Sequence, residues 1–348
     1  MEIIKLLIHS RDADYSLALA EALTVLRSNF IVTLCGFDAD LAATDCDLII
    51  SDSKTAACDK RVIGLTDSYT DVRKNIEAPD FVLYKYSGLG ELSSDILLYY
   101  SLITGKRNFS LPKDCAKVIV FCSASGGAGK TTIAFAAAQA LRRYCSKSAI
   151  YISAEEFEST LTYMEGKDDG LSLCEYLYFI FKREGNIPAA EAFMVFDKYG
   201  TGAFMPGEGK NRIKELTAAE TAEFFKFITE SGSYDYILVD AGECFTPQTE
   251  SILRSCHRAV AVLPGPGEPD EREKRFIRYL NFILGDKASE KIVIARNKIT
   301  NSDNEPKEEG HIYIDFDPES FDSSRGITEI SIDSDFGTGI KELVKRVL

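Results

Sequence analysis

The run Gly126-Gly127-Ala128-Gly129-Lys130-Thr131-Thr132 directly follows the apolar stretch Val118-Ile119-Val120-Phe121-Cys122 and a short Ser/Ala connection. This order constrains the fold around it. A buried strand ends, glycines let successive backbone N–H groups face one centre, and a helix begins with its positive end toward that centre. Polyphosphate is the chemistry that such a loop fits. Lys130 would reach the β and γ phosphates of a nucleotide and the Thr131 hydroxyl would ligate Mg²⁺, with Ser125 to Thr132 forming the cradle. Ala124 stands where the first glycine of G-x-x-x-x-G-K-[ST] is usual. A plain glycine-rich turn would leave Lys130-Thr131 at a helix start unexplained.

The 348 residues suffice for two domains, each with its own core. Ahead of the loop, short apolar runs at Ile3–Ile8, Phe30–Leu34, Leu48–Ile50, Val62–Leu65 and Phe81–Tyr84 alternate with helical periodicity at Tyr15–Leu26 and Leu89–Ile103. The polar stretch with Gly105-Lys106-Arg107-Asn108 and Pro112 suits a linker. Alternation then restarts, with strands expected at Ala149–Ile152, Tyr236–Val239, Ala259–Leu263, Ile292–Ala295, Ile312–Ile314 and Ile330–Ile332, and mainly helix and loop from Glu156 to Ser233. The expected fold is α/β with two doubly wound parallel domains, at residues 1–105 and 116–348, joined by a linker at 106–115.

A second chemical signal is Tyr234-Asp235-Tyr236-Ile237-Leu238-Val239-Asp240. An apolar strand ending in Asp240 delivers a carboxylate to the sheet edge on which the loop opens, where it would hold Mg²⁺ through water. Together with the strand ending at Ser153-Ala154-Glu155 and the later Ile292-Val293-Ile294-Ala295-Arg296-Asn297-Lys298, these motifs resemble the MinD/ParA group of P-loop ATPases. The resemblance covers roughly residues 116–348. It implies bound ATP and Mg²⁺, an ATP-sandwiched homodimer, Asn297 against the adenine edge, and Glu155 in the place of the water-orienting acid, with Lys130 and Glu155 as the catalytic pair. The Pro264-Gly265-Pro266-Gly267 turn falls where it could line the base pocket.

Two departures from the family pattern bear on turnover. The lysine that MinD/ParA proteins carry just before the glycine pair is Ser125 here, and the first aspartate of their D-x-D switch is Ser153. By analogy with an arginine finger, losing a transition-state cation slows phosphoryl transfer by about 10³–10⁵. ATP binding is expected to survive these changes and fast hydrolysis is not.

In the first domain, Asp52 ends the run Asp47-Leu48-Ile49-Ile50-Ser51 in the manner of a response-regulator receiver phosphoacceptor. Thr66 and Lys85, each ending a later strand, match the other two switch positions. Receiver chemistry also needs an acidic pair for Mg²⁺, and this chain has His9-Ser10-Arg11 with Asp12 nearby. The expectation is a degenerate receiver used as a scaffold, with Arg11 a candidate partner for Asp52. A receiver-like domain ahead of a MinD/ParA-like ATPase resembles the TadZ/CpaE family, which positions tight-adherence (Flp, type IVc) pilus machinery. That resemblance implies an ATP-binding hub with pilus-assembly partners. The alternatives are an ATPase cycling on DNA or membrane, and a phospho-regulated response regulator with ATPase output.

A formal net charge of −14 disfavours broad affinity for nucleic acid or anionic lipid. Nine cysteines at scattered positions are no disulfide framework, and with no leader-like or membrane-spanning run a cytoplasmic protein is expected, at the pole or inner membrane face if the family resemblance extends so far. Cys244 lacks a C-x-x-C partner, and His9, His257 and His311 show no metal spacing. The amphipathic end Gly339–Leu348 reads as the last packed helix rather than a membrane anchor, the anchor being the alternative.

Overall fold

The computed structural model describes residues 3–26, 29–36, 45–52, 61–68, 71–74, 81–104, 115–166, 171–182, 187–230, 234–242, 245–266, 269–300, 308–324 and 326–348. The expected linker, apart from Cys115, lies outside these residues, as do Cys244 and Gly267. In chain order the first elements are β1 (Ile4–His9), α1 (Ala13–Leu26), β2 (Phe30–Cys35), β3 (Leu48–Ser51), β4 (Val62–Thr66), β5 (Arg73–Lys74), β6 (Phe81–Tyr84) and α2 (Leu89–Thr104). Next come β7 (Lys117–Cys122), α3 (Lys130–Cys145), β8 (Ala149–Ser153), α4 (Thr160–Tyr163), α5 (Leu173–Phe181), β9 (Met194–Phe196), β10 (Gly202–Phe204) and α6 (Ala218–Glu230). The chain closes with β11 (Tyr236–Asp240), α7 (Pro247–Ser255), β12 (Arg258–Pro264), α8 (Glu271–Leu284), α9 (Ala288–Lys291), β13 (Ile292–Ile299), β14 (Ile312–Asp315), β15 (Phe321–Asp322), β16 (Glu329–Ile330) and α10 (Asp335–Val347).

Two compact units result. One comprises Met1–Pro112 with Asp169–Leu171 and Glu175–Met194, and the other Lys113–Asp168, Ser172–Cys174 and Val195–Leu348. The first unit has a six-stranded sheet of order β2-β1-β3-β4-β6-β5, parallel except for the short antiparallel β5. Its register aligns His9 with Ser51 and Ser51 with Gly64, so β1, β3 and β4 end on one edge.

Segment Glu175–Met194, which lies within the stretch 116–348, groups with the first unit. The cause is α2. Residues Asp95 to Tyr100 are buried without a break, so this helix is covered on more sides than its own sheet can reach. A 3₁₀ turn at Ala190–Phe193 packs on it, and the buried Phe193 ring meets Tyr176 at a tilt and Phe179 edge-on, with centroids 5.0 and 5.8 Å away.

The second unit has an eight-stranded sheet of order β14-β13-β12-β7-β11-β8-β10-β9. Central strands β7, β8, β11 and β12 are buried along almost their whole length, as strands covered on both faces must be. Strands β9 and β10 fall in the stretch expected to be helix and loop. At three residues each, with a glycine in β10, they are too short to show a period in sequence. The expected strand at 330–332 is β16, which pairs with β15 outside the main sheet.

Helix α3 runs through the core of this unit, its Ala134, Ala136, Ala137, Ala138 and Ala140 all buried where small side chains let neighbours close in. Helix α10 lays Phe336, Ile340, Leu343, Val344 and Val347 against α3 and β14, so its apolar stripe is core. A Cβ on Gly337 would sit 2.1 Å from the Ile332 carbonyl oxygen, which fixes how closely this helix approaches. No helix among the described residues is long and apolar enough to cross a membrane.

Replacing the fully buried Phe193 by alanine is expected to lower the unfolding free energy by about 3–5 kcal/mol. Denaturant titration reads this, and an unchanged midpoint would contradict the packing of this segment in the first unit.

Candidate functional site

Parallel register builds the site in the second unit. Strand β11 lies between β7 and β8, with Asp240 beside Phe121 on one side and Ser153 on the other. The loop after β7, the acid ending β11 and the switch segment after β8 therefore converge at one sheet edge.

Asp240 is fully buried and receives donors from three directions. The Lys130 ammonium is 2.5 Å from Oδ1, and Gly242 N–H donates to the same oxygen at 3.3 Å. The Thr131 hydroxyl donates to Oδ2 at 2.5 Å, and the Tyr151 hydroxyl approaches it at 3.4 Å. Burial, with the Asp240 charge adding to it, pushes Tyr151 well above the ordinary phenol range, so it remains a donor. Behind it, Phe135 packs edge-on to Tyr151 and stacks on Tyr163, whose hydroxyl meets Thr132 Oγ1 at 2.9 Å.

Glu155 approaches the same threonine, its Oε1 lying 3.3 Å from Thr131 Oγ1, whose single proton faces the closer Asp240 oxygen. Its other oxygen accepts from Ser153 Oγ at 3.1 Å and Ser159 N–H at 3.2 Å. Sequence reasoning missed what holds this segment. The buried Asn211 donates Nδ2 to Ser153 O at 2.8 Å, and a Cβ on Gly242 would lie 2.9 Å from Ala154 O. An isolated asparagine in a loop gives no sequence signal of such a role.

The loop itself turns at Gly127 (φ 74°) and Gly129 (φ 87°), with Ala128 buried and Gly126 and Gly127 exposed at its crown. The Ser125 carbonyl accepts from Ser123 Oγ at 2.9 Å. Asn297 does not keep all its hydrogen-bonding groups for a base. Its Nδ2 donates to Ala128 O at 2.8 Å, which leaves the carbonyl Oδ1 as the group able to accept from an exocyclic amine. Gly265 N–H donates to Asn297 O at 2.7 Å, bringing the turn after β12 to the same place.

The donor set fits Mg²⁺. A threonine hydroxyl and a carboxylate, both hard oxygen donors, lie together at a buried site. No group of three or more His, Cys, Asp or Glu side chains converges among the described residues, so a metal here would rely on phosphate and water for its remaining ligands. The histidines play other parts: His9 bonds Ser51 Oγ at 2.9 Å, and His257 Nδ1 accepts from Val118 N–H at 3.1 Å. Burial raises the Cys122 thiol well above its usual range, as suits a core residue.

The sheet edge of the first unit that carries Asp52 has different bonding. Asp52 Oδ2 accepts from Ser10 Oγ at 2.6 Å and from the Arg11 backbone N–H at 3.2 Å. The Arg11 contact is therefore made by its backbone. The Lys85 ammonium lies 2.9 Å from Asp12 and 4.5 Å over the Tyr15 ring. Asp12, bonded by the Tyr15 N–H and by Lys85, is held below the usual carboxylate range. Thr66 Oγ1 accepts from Ser68 N–H within its own turn. The structure thus joins Lys85 to Asp12, and Asp52 to Ser10.

The sequence matches no protein-family model, and no curated protein matches it. Solved structures do resemble it. A ParA family ATPase from Chlorobium tepidum aligns at TM-score 0.47 and 16% identity over 68% of this chain and 97% of that one. The MinD cell division protein of Aquifex aeolicus aligns at 0.49 and 20% over 67% and 97%. The septum site-determining protein MinD of Pyrococcus horikoshii, complexed with Mg-ADP, aligns at 0.47 and 17% over 67% and 96%.

Beside the switch segment, burial pushes the Glu158 carboxyl up to about 7, with the Glu155 charge adding to it. A folded-state value above the unfolded one means that the native protein binds the extra proton, so stability falls as pH rises from about 4.5 to about 7. Glu158→Gln should remove this slope and become the more stable protein at pH 8. Thermal melts of both proteins between pH 5 and pH 8 test this, and parallel curves would contradict it.

Proposed function

We propose that this chain binds Mg·ATP in a cytoplasmic homodimer and works as a localisation or assembly hub rather than as a fast ATPase. The observation that carries the reading is the convergence of Lys130 and Thr131 on the buried Asp240. Lys130 would release Asp240 to bind phosphate, Thr131 and Asp240 would hold Mg²⁺, and Asn297 Oδ1 would accept from adenine. Bound Mg²⁺ supplies charge neutralisation of the β and γ phosphates.

Slow turnover follows from the side chains. Ser125 is uncharged where MinD/ParA proteins carry a lysine, and one oxygen of Glu155 is held by Ser153 and Ser159. A carboxylate with these bonds is less free to orient a water. The nucleotide would therefore stabilise a shape, shifting a dimer equilibrium by its differential affinity for the two states. In the receiver-like unit, the bonding of Asp52 to Ser10 and of Lys85 to Asp12 supports scaffold use. This combination matches the role of the TadZ/CpaE family at the cell pole or inner membrane face, with tight-adherence pilus proteins as partners. Membrane attachment through α10 is disfavoured because its apolar stripe is core.

A cycling MinD/ParA-type ATPase is the second reading, favoured by the 3.3 Å approach of Glu155 to the Thr131 hydroxyl. Nucleotide analysis of the purified protein, its mass in solution and its steady-state ATPase rate separate the two. The hub reading expects retained ATP, a dimer, and turnover about 10³-fold or more below a phosphoryl-transfer enzyme with its cation in place. Turnover at MinD/ParA-like rates that Glu155→Ala abolishes would overturn it.

A further inference from the structure

We infer that Lys298 is a positioning residue for the phosphate loop, holding it from outside together with Asn297. A loop that turns successive N–H groups toward an anion must turn carbonyls the other way, and those carbonyls need donors of their own. Here β13 provides them. Lys298 Nζ donates to Gly127 O at 2.7 Å, and Asn297 Nδ2 donates to Ala128 O at 2.8 Å. Consecutive residues of one strand thus bond consecutive carbonyls of the loop.

Two further features serve this contact. A Cβ on Gly129 would lie 2.1 Å from Asn297 Nδ2, so the close approach of strand and loop requires glycine there. Lys298 has a φ of 62°, a left-handed conformation that non-glycine residues adopt only where the surroundings enforce it. The turn coincides with a register shift in the β13–β14 pairing between Arg296 and Ile299, and it takes Lys298 out of the regular ladder. Charge matters as well. The Lys130 ammonium lies on Asp240 and position 125 is a serine, so Lys298 adds a cation at the loop's crown, where a polyphosphate would be drawn in.

The effect on ligand affinity rests on the nucleotide reading of the loop, whereas the effect on loop order does not. The test therefore uses two readouts on the full chain for wild type, Lys298→Met, Lys298→Arg and Lys298→Gly. One is hydrogen exchange of the loop amides without nucleotide, and the other is the dissociation constant for ATP in the presence of Mg²⁺. Lys298→Met should speed exchange in the loop and weaken ATP by about tenfold, the scale of one charge-assisted hydrogen bond. Lys298→Arg should restore most of both. Lys298→Gly relieves the backbone, so it should melt no lower than wild type and still lose loop protection. A methionine variant within twofold of wild type in both readouts would overturn the inference, as would a glycine variant whose loop stays protected. Faster exchange in Lys298→Met alongside a wild type that binds no ATP would sustain the strut and remove the nucleotide reading.

Discussion

A carboxylate at the end of a central strand, shut off from water, organises the second unit. Asp240 is fully buried, and an uncompensated charge there would be strongly destabilising, by about 3–5 kcal/mol when one partner of a buried pair is removed. The sheet edge meets this demand from two neighbouring strands. Strand β7 turns into the loop that brings Lys130 and Thr131, and β8 brings Tyr151 and leads into the Ser153–Glu155 segment. A lysine ammonium, a threonine hydroxyl and a carboxylate held this way are the groups that polyphosphate and a hard cation would engage in their turn.

The first unit uses the same edge of a parallel sheet with different chemistry. Its acid, Asp52, accepts from a serine hydroxyl and a backbone N–H at Oδ2 while its buried Oδ1 has no hydrogen-bond partner among the described residues, and its lysine is taken by Asp12 and the Tyr15 ring. Reinforcement by Glu175–Met194 makes this unit discontinuous in sequence, so the chain returns to it soon after leaving the switch segment that carries Glu155.

Much of this was legible from sequence where signals are local. The glycine-rich loop after an apolar run, the strand ending in Asp240 and most parallel strands of both sheets declare themselves through composition and period. What stayed hidden depends on juxtaposition. Nothing local marks Asn211 as the clamp on Ser153 or Lys298 as a donor to Gly127, because both roles exist only once distant segments meet. The placement of α5 was hidden for the same reason, since its apolar faces suit a packed helix in either unit. Strands β9 and β10 were hidden by shortness. For α10 the amphipathic pattern suits both a packed helix and an anchor, and its burial on α3 decides between them.

The proposed function requires that Lys130, Thr131 and Asp240 hold ATP together with Mg²⁺. Calorimetric titration of the nucleotide-stripped wild-type protein with ATP, with Mg²⁺ and then with a chelator in its place, tests this most directly. Binding should be saturable with Mg²⁺ and weaken by about tenfold or more without it, since Asp240 then loses the cation that would link it to phosphate. Absence of binding under both conditions, or equal affinity with and without Mg²⁺, would contradict it.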